Sequence, residues 1–177
     1  RRIISACTVL GSLMILLSTG CSEGSKSESA DLPPLSVEEI SAQALWERIT
    51  EESDYHDYPY WPGHEQLQPG QAPHGPYHRV FINHTLRSAL PIEDMRVPDG
   101  GIIVKENYTA DEVLSGYTVM AKVEGYDPEH HNWFWAKYSA KGEVQAEGSP
   151  KGCISCHSGM ENNDYVIIRP LDKQIDE

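Results

Sequence analysis

The run Ile102-Ile103-Val104-Lys105-Glu106-Asn107-Tyr108, entered through Pro98-Asp99-Gly100-Gly101, reads as a β-strand behind a tight turn. Alternation along it sets Ile103, Lys105 and Asn107 on one face and Ile102, Val104 and Glu106 on the other. Similar runs lie on either side. Residues 77–84 read as a strand before it, and residues 117–124 and 133–138 as strands after it. Lys141-Gly142 turns the last of these into a further strand at 143–147, and 164–169 reads as a final short strand. Strands at about ten-residue spacing with Gly and Pro between them predict an antiparallel sheet. Thr85 to Leu90 reads as one short helical turn.

Upstream, Ser36-Val37-Glu38-Glu39 has the form of a capping box, and Val37, Ile40, Ala44, Leu45 and Ile49 share one helical face. This predicts a helix from 37 to about 51, packed on the sheet. Residues 53–76 hold Pro59, Pro62, Pro69, Pro73 and Pro76 with Gly63, Gly70 and Gly75, which predicts a long irregular loop. Its Tyr55, Tyr58, Tyr60 and Trp61 make it a packed loop rather than a floppy one. The class is α+β, weighted to β, in a single domain over residues 35–177.

The chain has 177 residues and a mass of 19.8 kDa, enough for one domain with a core. Its 14 Lys and Arg against 27 Asp and Glu leave a formal charge of -13, which argues against a nucleic-acid partner. At 39% apolar residues it is not a disordered chain. It has four cysteines, Cys7, Cys21, Cys153 and Cys156, and their positions point away from disulfides.

The sequence opens at Arg1-Arg2 without a Met, and an apolar stretch from Ile3 to Leu17 follows. That stretch is shorter than the ~20 residues a spanning helix needs. Two Arg, a short apolar core and small residues at its exit predict a bacterial export signal over residues 1–20. The exit, Leu17-Ser18-Thr19-Gly20-Cys21, resembles a lipobox, with Cys21 the acylated first residue of the mature chain. The alternative is an ordinary cleaved signal with Cys21 incidental. Ser22 favours the outer membrane, so the expectation is a periplasmic protein that meets the membrane only through its lipid anchor. Residues 21–34 are a Ser-rich tether ending in Pro33-Pro34. Cleavage before Cys21 leaves 157 residues and, with Arg1 and Arg2 gone, a charge of -15. That acidity suits a basic redox partner protein.

Cys153-Ile154-Ser155-Cys156-His157 is C-x-x-C-H. Two thiols at this spacing reach the two vinyl groups of one haem, and the adjacent His ligates the iron. A zinc site would need further Cys or His ligands at matching spacing, and a thioredoxin-like pair would need a βαβ context, both lacking here. One covalent haem c with His157 as proximal iron ligand is therefore expected. Met160 is too near His157 to reach the opposite face. Met95, Met120, His74, His78, His84, His130 and His131 remain candidates for the sixth position, each with a plain alternative in the core, the surface or a turn.

Residues 72–83, 97–108, 116–138, 152–157 and 164–169 together resemble the cytochrome P-460 family, in family order across nearly the whole mature domain. The resemblance implies a small antiparallel β-rich fold, often a homodimer, and a five-coordinate iron with an open distal face. In founding members a Lys is cross-linked to the haem edge, and hydroxylamine is oxidised, with nitric oxide as partner, to nitrous oxide. The related cytochromes c′-beta mainly bind nitric oxide or carbon monoxide.

Lys105 matches the cross-linking Lys. From the residues alone it is either an edge Lys reaching solvent or one with a special partner, because a free ammonium is costly to bury among aliphatics. Arg79 shares a strand face with Tyr77 and Phe81. It matches a family Arg near the haem pocket, or else makes a surface ion pair. Hydroxylamine oxidation needs a proton acceptor, for which the family uses a distal carboxylate. Among Glu124, Asp127 and Glu129 the expectation is Glu124, although the local spacing departs from the founding members. Trp133, Phe134 and Trp135 are read as packing the sheet or the haem face. Three functions stand side by side. The first is hydroxylamine oxidation or another nitrogen-oxide transformation at an open iron. The second is nitric oxide binding without turnover. The third is electron transfer, which wants a firm sixth ligand, and no candidate stands out by position.

Overall fold

The computed structural model describes residues 32–173, so the export signal, Cys7, Cys21 and most of the tether lie outside the described residues. Among the described residues six strands form one antiparallel sheet in sequence order. They are β1 (Gln68–Pro69), β2 (Tyr77–Ile82), β3 (Ile102–Tyr108), β4 (Leu114–Lys122), β5 (Trp133–Ser139) and β6 (Val144–Gly148). Helix α1 (Ala42–Glu47) continues as a π-helical turn, Arg48–Glu52. Helix α2 (His84–Ala89) follows β2, and α3 (Lys151–His157) follows β6.

The helix predicted from residue 37 begins at Ala42. The Ser36 box does close, with Glu39 Oε2 accepting from Ser36 N (3.0 Å) and Oγ (2.8 Å), but it closes a separate turn. Ser41, in extended backbone, is the real cap: its Oγ accepts from Ala44 N, and Glu147 of β6 accepts from Ala42 N at 2.8 Å. The first turn is thus satisfied by a distant carboxylate that local spacing cannot reveal. β3 has the predicted bounds, and β4 starts three residues earlier than expected.

No strand forms at 164–169. A 3-10 helix, Ser158–Asn163, runs into two left-handed residues, Asp164 (φ 54°) and Tyr165 (φ 63°). Asn163 then does the work of a neighbouring strand. Its Nδ2 donates to Val166 O and Arg169 O, and its Oδ1 accepts from Leu171 N. The 53–76 segment is irregular as predicted, apart from a 3-10 turn at Tyr55–Asp57 and the two residues of β1, and Tyr55, Tyr58 and Trp61 are buried.

Strand alternation gives the sheet two buried faces. Phe81, Val104, Tyr117, Val119, Phe134, Ala136 and Tyr138 pack against Leu45, Ile49, Tyr55 and Tyr58. Val80, Ile82, Ile103, Met120, Trp133 and Trp135 pack against Leu86, Tyr165 and Leu171, with Cys153 and Ile154 at the edge of the cluster. Trp133, Phe134 and Trp135 therefore divide between the faces. Leu45 is fully buried at the α1 contact, so Leu45→Ala should cost about 2–5 kcal/mol in urea unfolding. Val37→Ala, at an exposed site, should stay within about 0.5 kcal/mol. Equal losses would contradict this packing.

Candidate functional site

Pro150 starts α3, its carbonyl accepting from Cys153 N (2.9 Å) and Ile154 N (3.1 Å). On a helix, residues three and four apart are neighbours, so the C-x-x-C-H run presents Cys153, Cys156 and His157 on one side. Both thiols are free, with Cys153 half-buried and Cys156 exposed. His157 Nδ1 lies 2.7 Å from Tyr165 O. A carbonyl only accepts, so Nδ1 carries the proton and Nε2 keeps its lone pair. Burial lowers the pKa of His157 and favours this neutral form. The Trp135 ring stands edge-on to the imidazole, 4.8 Å between centroids.

Tyr165 is in turn held by Asp164, whose side chain is wholly buried. Lys122 Nζ (2.6 Å) and Val97 N (2.8 Å) donate to Asp164 Oδ2, and His131 Nδ1 lies 3.0 Å from Oδ1. Trp133 Nε1 donates to the Asp164 carbonyl at 2.8 Å. Two adjacent left-handed non-glycine residues are costly backbone, retained only where the surroundings over-determine them. Here β4, β5 and the 97 loop all converge on Asp164.

The sheet face below α3 follows from the register. Val80, Lys105, Thr118 and Lys137 lie in one row across β2 to β5, beside the apolar row Ile82, Ile103, Met120 and Trp135. Lys105 thus falls on the His157 side of the sheet. Among the described residues it has no ion-pair partner, and burial brings its amine down to about 8. Burial, and then the Lys105 charge, lower His74 and His78 to about 4, so both imidazoles are neutral near pH 7. Burial and the neighbouring Cys156 raise the Cys153 thiol. Three buried polar atoms on this face lack partners: His78 Nδ1, Asn107 Oδ1 and Trp135 Nε1. Free paired thiols, a His with its Nε2 available, an uncompensated Lys and these orphaned atoms fit a haem c held between α3 and the sheet.

The other expected site residues are placed differently. Arg79 lies on the opposite face, 3.9 Å from Glu106 and over the Tyr108 ring, in a cluster where Tyr55 and Tyr108 hydroxyls donate to Glu106. The strand period that puts it beside Phe81 places it on the sheet face away from Lys105. Glu124 is exposed in the turn after β4, its N–H bonded to Asp99 Oδ1 (2.7 Å). It is not brought to His157. Asp127 is occupied by Ser149 and His130, and Glu129 is exposed.

Among the sixth-position candidates, His130 and His131 are bonded to Asp127 and Asp164. His74 is the one whose ring contacts His157 among the described residues. No local pattern in the sequence signals the Lys122–Asp164 pair or the Tyr165 carbonyl, because Asp164-Tyr165-Val166 has the composition of a strand. Asp164→Asn leaves the Lys122 ammonium buried without its carboxylate and should cost about 3–5 kcal/mol in denaturant unfolding. Adding Lys122→Met should recover much of that loss, and a double variant as unstable as Asp164→Asn would contradict charge burial as its cause.

No match is found among curated proteins. The family model for cytochrome P460 matches residues 53–168, which take in the whole sheet and α3. With the haem-ready face already built from its residues, the chain belongs to the cytochrome P460 family, c-type haem proteins of the hydroxylamine- and gas-binding kind.

Proposed function

We propose that this protein binds small nitrogen oxides at a haem c iron and oxidises hydroxylamine, with nitric oxide as partner, to nitrous oxide. The observation behind this is the pairing of His157, its Nε2 available, with an uncompensated Lys105 on the same sheet face. Cys153 and Cys156 would hold the haem by thioethers, and His157 would ligate its iron. The haem supplies the redox and ligand-binding chemistry. The Tyr165 carbonyl fixes the imidazole tautomer and ring orientation, as outer-shell acceptors do for metal-bound His. Lys105, with its amine brought down to about 8, is nucleophilic at far lower pH than a solvated Lys and is the residue for a haem-edge cross-link.

Hydroxylamine and nitric oxide give nitrous oxide, water, one proton and one electron, so the reaction needs a base and a redox partner protein. The acidic surface suits a basic electron acceptor. Export and lipidation at Cys21 would put the reaction at the periplasmic side of the outer membrane. Binding of nitric oxide without turnover is the second reading; it needs His157 and the thioethers but not the cross-link.

Peptide mass spectrometry of the purified protein should find haem on the 153–157 peptide and, joined to it, the peptide containing Lys105. Lys105→Leu should give an ordinary haem c spectrum and lose hydroxylamine turnover while still binding nitric oxide. A free Lys105 with hydroxylamine left unconsumed would overturn the oxidation and leave the gas-binding reading.

A further inference from the structure

Trp135 lies in β5, an inner strand of the sheet, opposite Met120 of β4 on one side and Gly148 of β6 on the other. β6 ends at Gly148 and α3 begins three residues later at Lys151, so the chain leaves the sheet beside Trp135 to form the C-x-x-C-H helix. Trp135 packs in the cluster that Cys153 and Ile154 border. Its side chain is 4% exposed, and its ring stands 4.8 Å from that of His157 with the planes 78° apart. The Tyr165 ring completes the group, 6.5 Å from Trp135 at 80°. His157 is thus held at two places, its Nδ1 by the Tyr165 carbonyl and its ring by the Trp135 indole.

Trp135 Nε1 is buried without an acceptor. An unpaired buried N–H is a cost, so hydrogen bonding gives no reason for an indole here. What the position uses is the ring. An edge-to-face aromatic contact fixes mutual orientation as well as filling space. Because β5 is bonded to a strand on each side, the wall that Trp135 offers the imidazole is a firm one.

We propose that Trp135 is a positioning residue for His157, and that its ring keeps the imidazole on the iron when nitric oxide binds opposite. This rests on the haem reading of α3 and on nitric oxide as a ligand, and it assigns a residue that neither reading requires. Nitric oxide places electron density in the axial antibonding orbital of ferrous iron and so weakens the bond across from it. A freely pivoting imidazole then turns away and is lost. His157 is penned between a carbonyl and an indole, so a broken iron–nitrogen bond leaves its ring in place and the bond re-forms. Only that bond breaks and re-forms; no electron is transferred, and the Nδ1 proton stays on its bond to Tyr165 O.

The test mixes the ferrous, haem-loaded protein with nitric oxide. Absorption and paramagnetic resonance separate a six-coordinate adduct, with His157 bound, from a five-coordinate one without it. Trp135→Leu should pass from the first to the second at least about fivefold faster than wild type, as loss of one aromatic pair implies. Trp135→Phe, which keeps a ring and drops the unpaired N–H, should stay within about twofold of wild type. Leu86→Ala, buried on α2 in the same apolar cluster, should unfold more readily and yet keep the wild-type rate. A wild-type rate in Trp135→Leu, a Phe variant as fast as the Leu variant, an equal rise in Leu86→Ala, or a wild-type adduct five-coordinate from the outset would each overturn the proposal. Should Trp135→Leu fail to fold, the diamagnetic carbon monoxide adduct of the wild type decides. Proton NMR should show a nuclear Overhauser contact between the Trp135 indole and the His157 imidazole, and its absence would overturn the proposal. A wild type that binds no nitric oxide would overturn the gas-binding reading as well. A 153–157 peptide without haem would overturn the haem reading and this proposal with it.

Discussion

The hydrogen bond from His157 Nδ1 to the Tyr165 carbonyl is the constraint on which the site depends. It commits one imidazole nitrogen to the protein and leaves the other with a free lone pair. Its acceptor exists only because Asp164 and Tyr165 adopt consecutive left-handed conformations, and those persist only because Asp164 is gripped by Lys122, His131 and Val97. The chain of cause runs from a buried carboxylate, through a strained turn, to the orientation of one ring. A buried ion pair is weak evidence for stability, and this one is better understood as fixing a conformation.

The contrast between two lysines sharpens the point. Lys122 is buried and Lys105 half-buried, on adjacent strands of one sheet. Lys122 meets Asp164 at 2.6 Å and stacks over Trp133. Lys105 meets no carboxylate among the described residues, and its amine falls to about 8. Burying an ammonium without a partner is unfavourable, so folding alone gives no reason to keep Lys105 there. A group that accepts its proton or its nitrogen does. The opposite sheet face shows the alternative arrangement, with Glu106 fully engaged by two tyrosines and near Arg79, and that face is covered by α1.

What the sequence disclosed followed the range of its signals. β3 is found with its bounds because alternation is local and both its faces are buried, and the same alternation correctly put Lys105 with Ile103 and Asn107. The C-x-x-C-H run announced its own chemistry, although not that it would be helical. Arg79 and Glu124 match family positions, and neither local pattern shows that Arg79 meets Glu106 or that Glu124 sits in the exposed turn after β4. Asp164-Tyr165-Val166 looked like strand because its composition is strand-like. Its turn is set by contacts with Lys122 and His131, more than 30 residues away, and no local pattern shows them. His74 was one of seven equivalent candidates until the β1–β2 turn brought it beside His157.

The most direct test is a crystal structure of the haem-loaded protein. The account predicts iron on His157 Nε2, with Nδ1 still donating to Tyr165 O and the haem edge over the Lys105, Thr118 and Lys137 row. Haem against the Glu106 face, or iron held by a residue other than His157 on the α3 side, would contradict it.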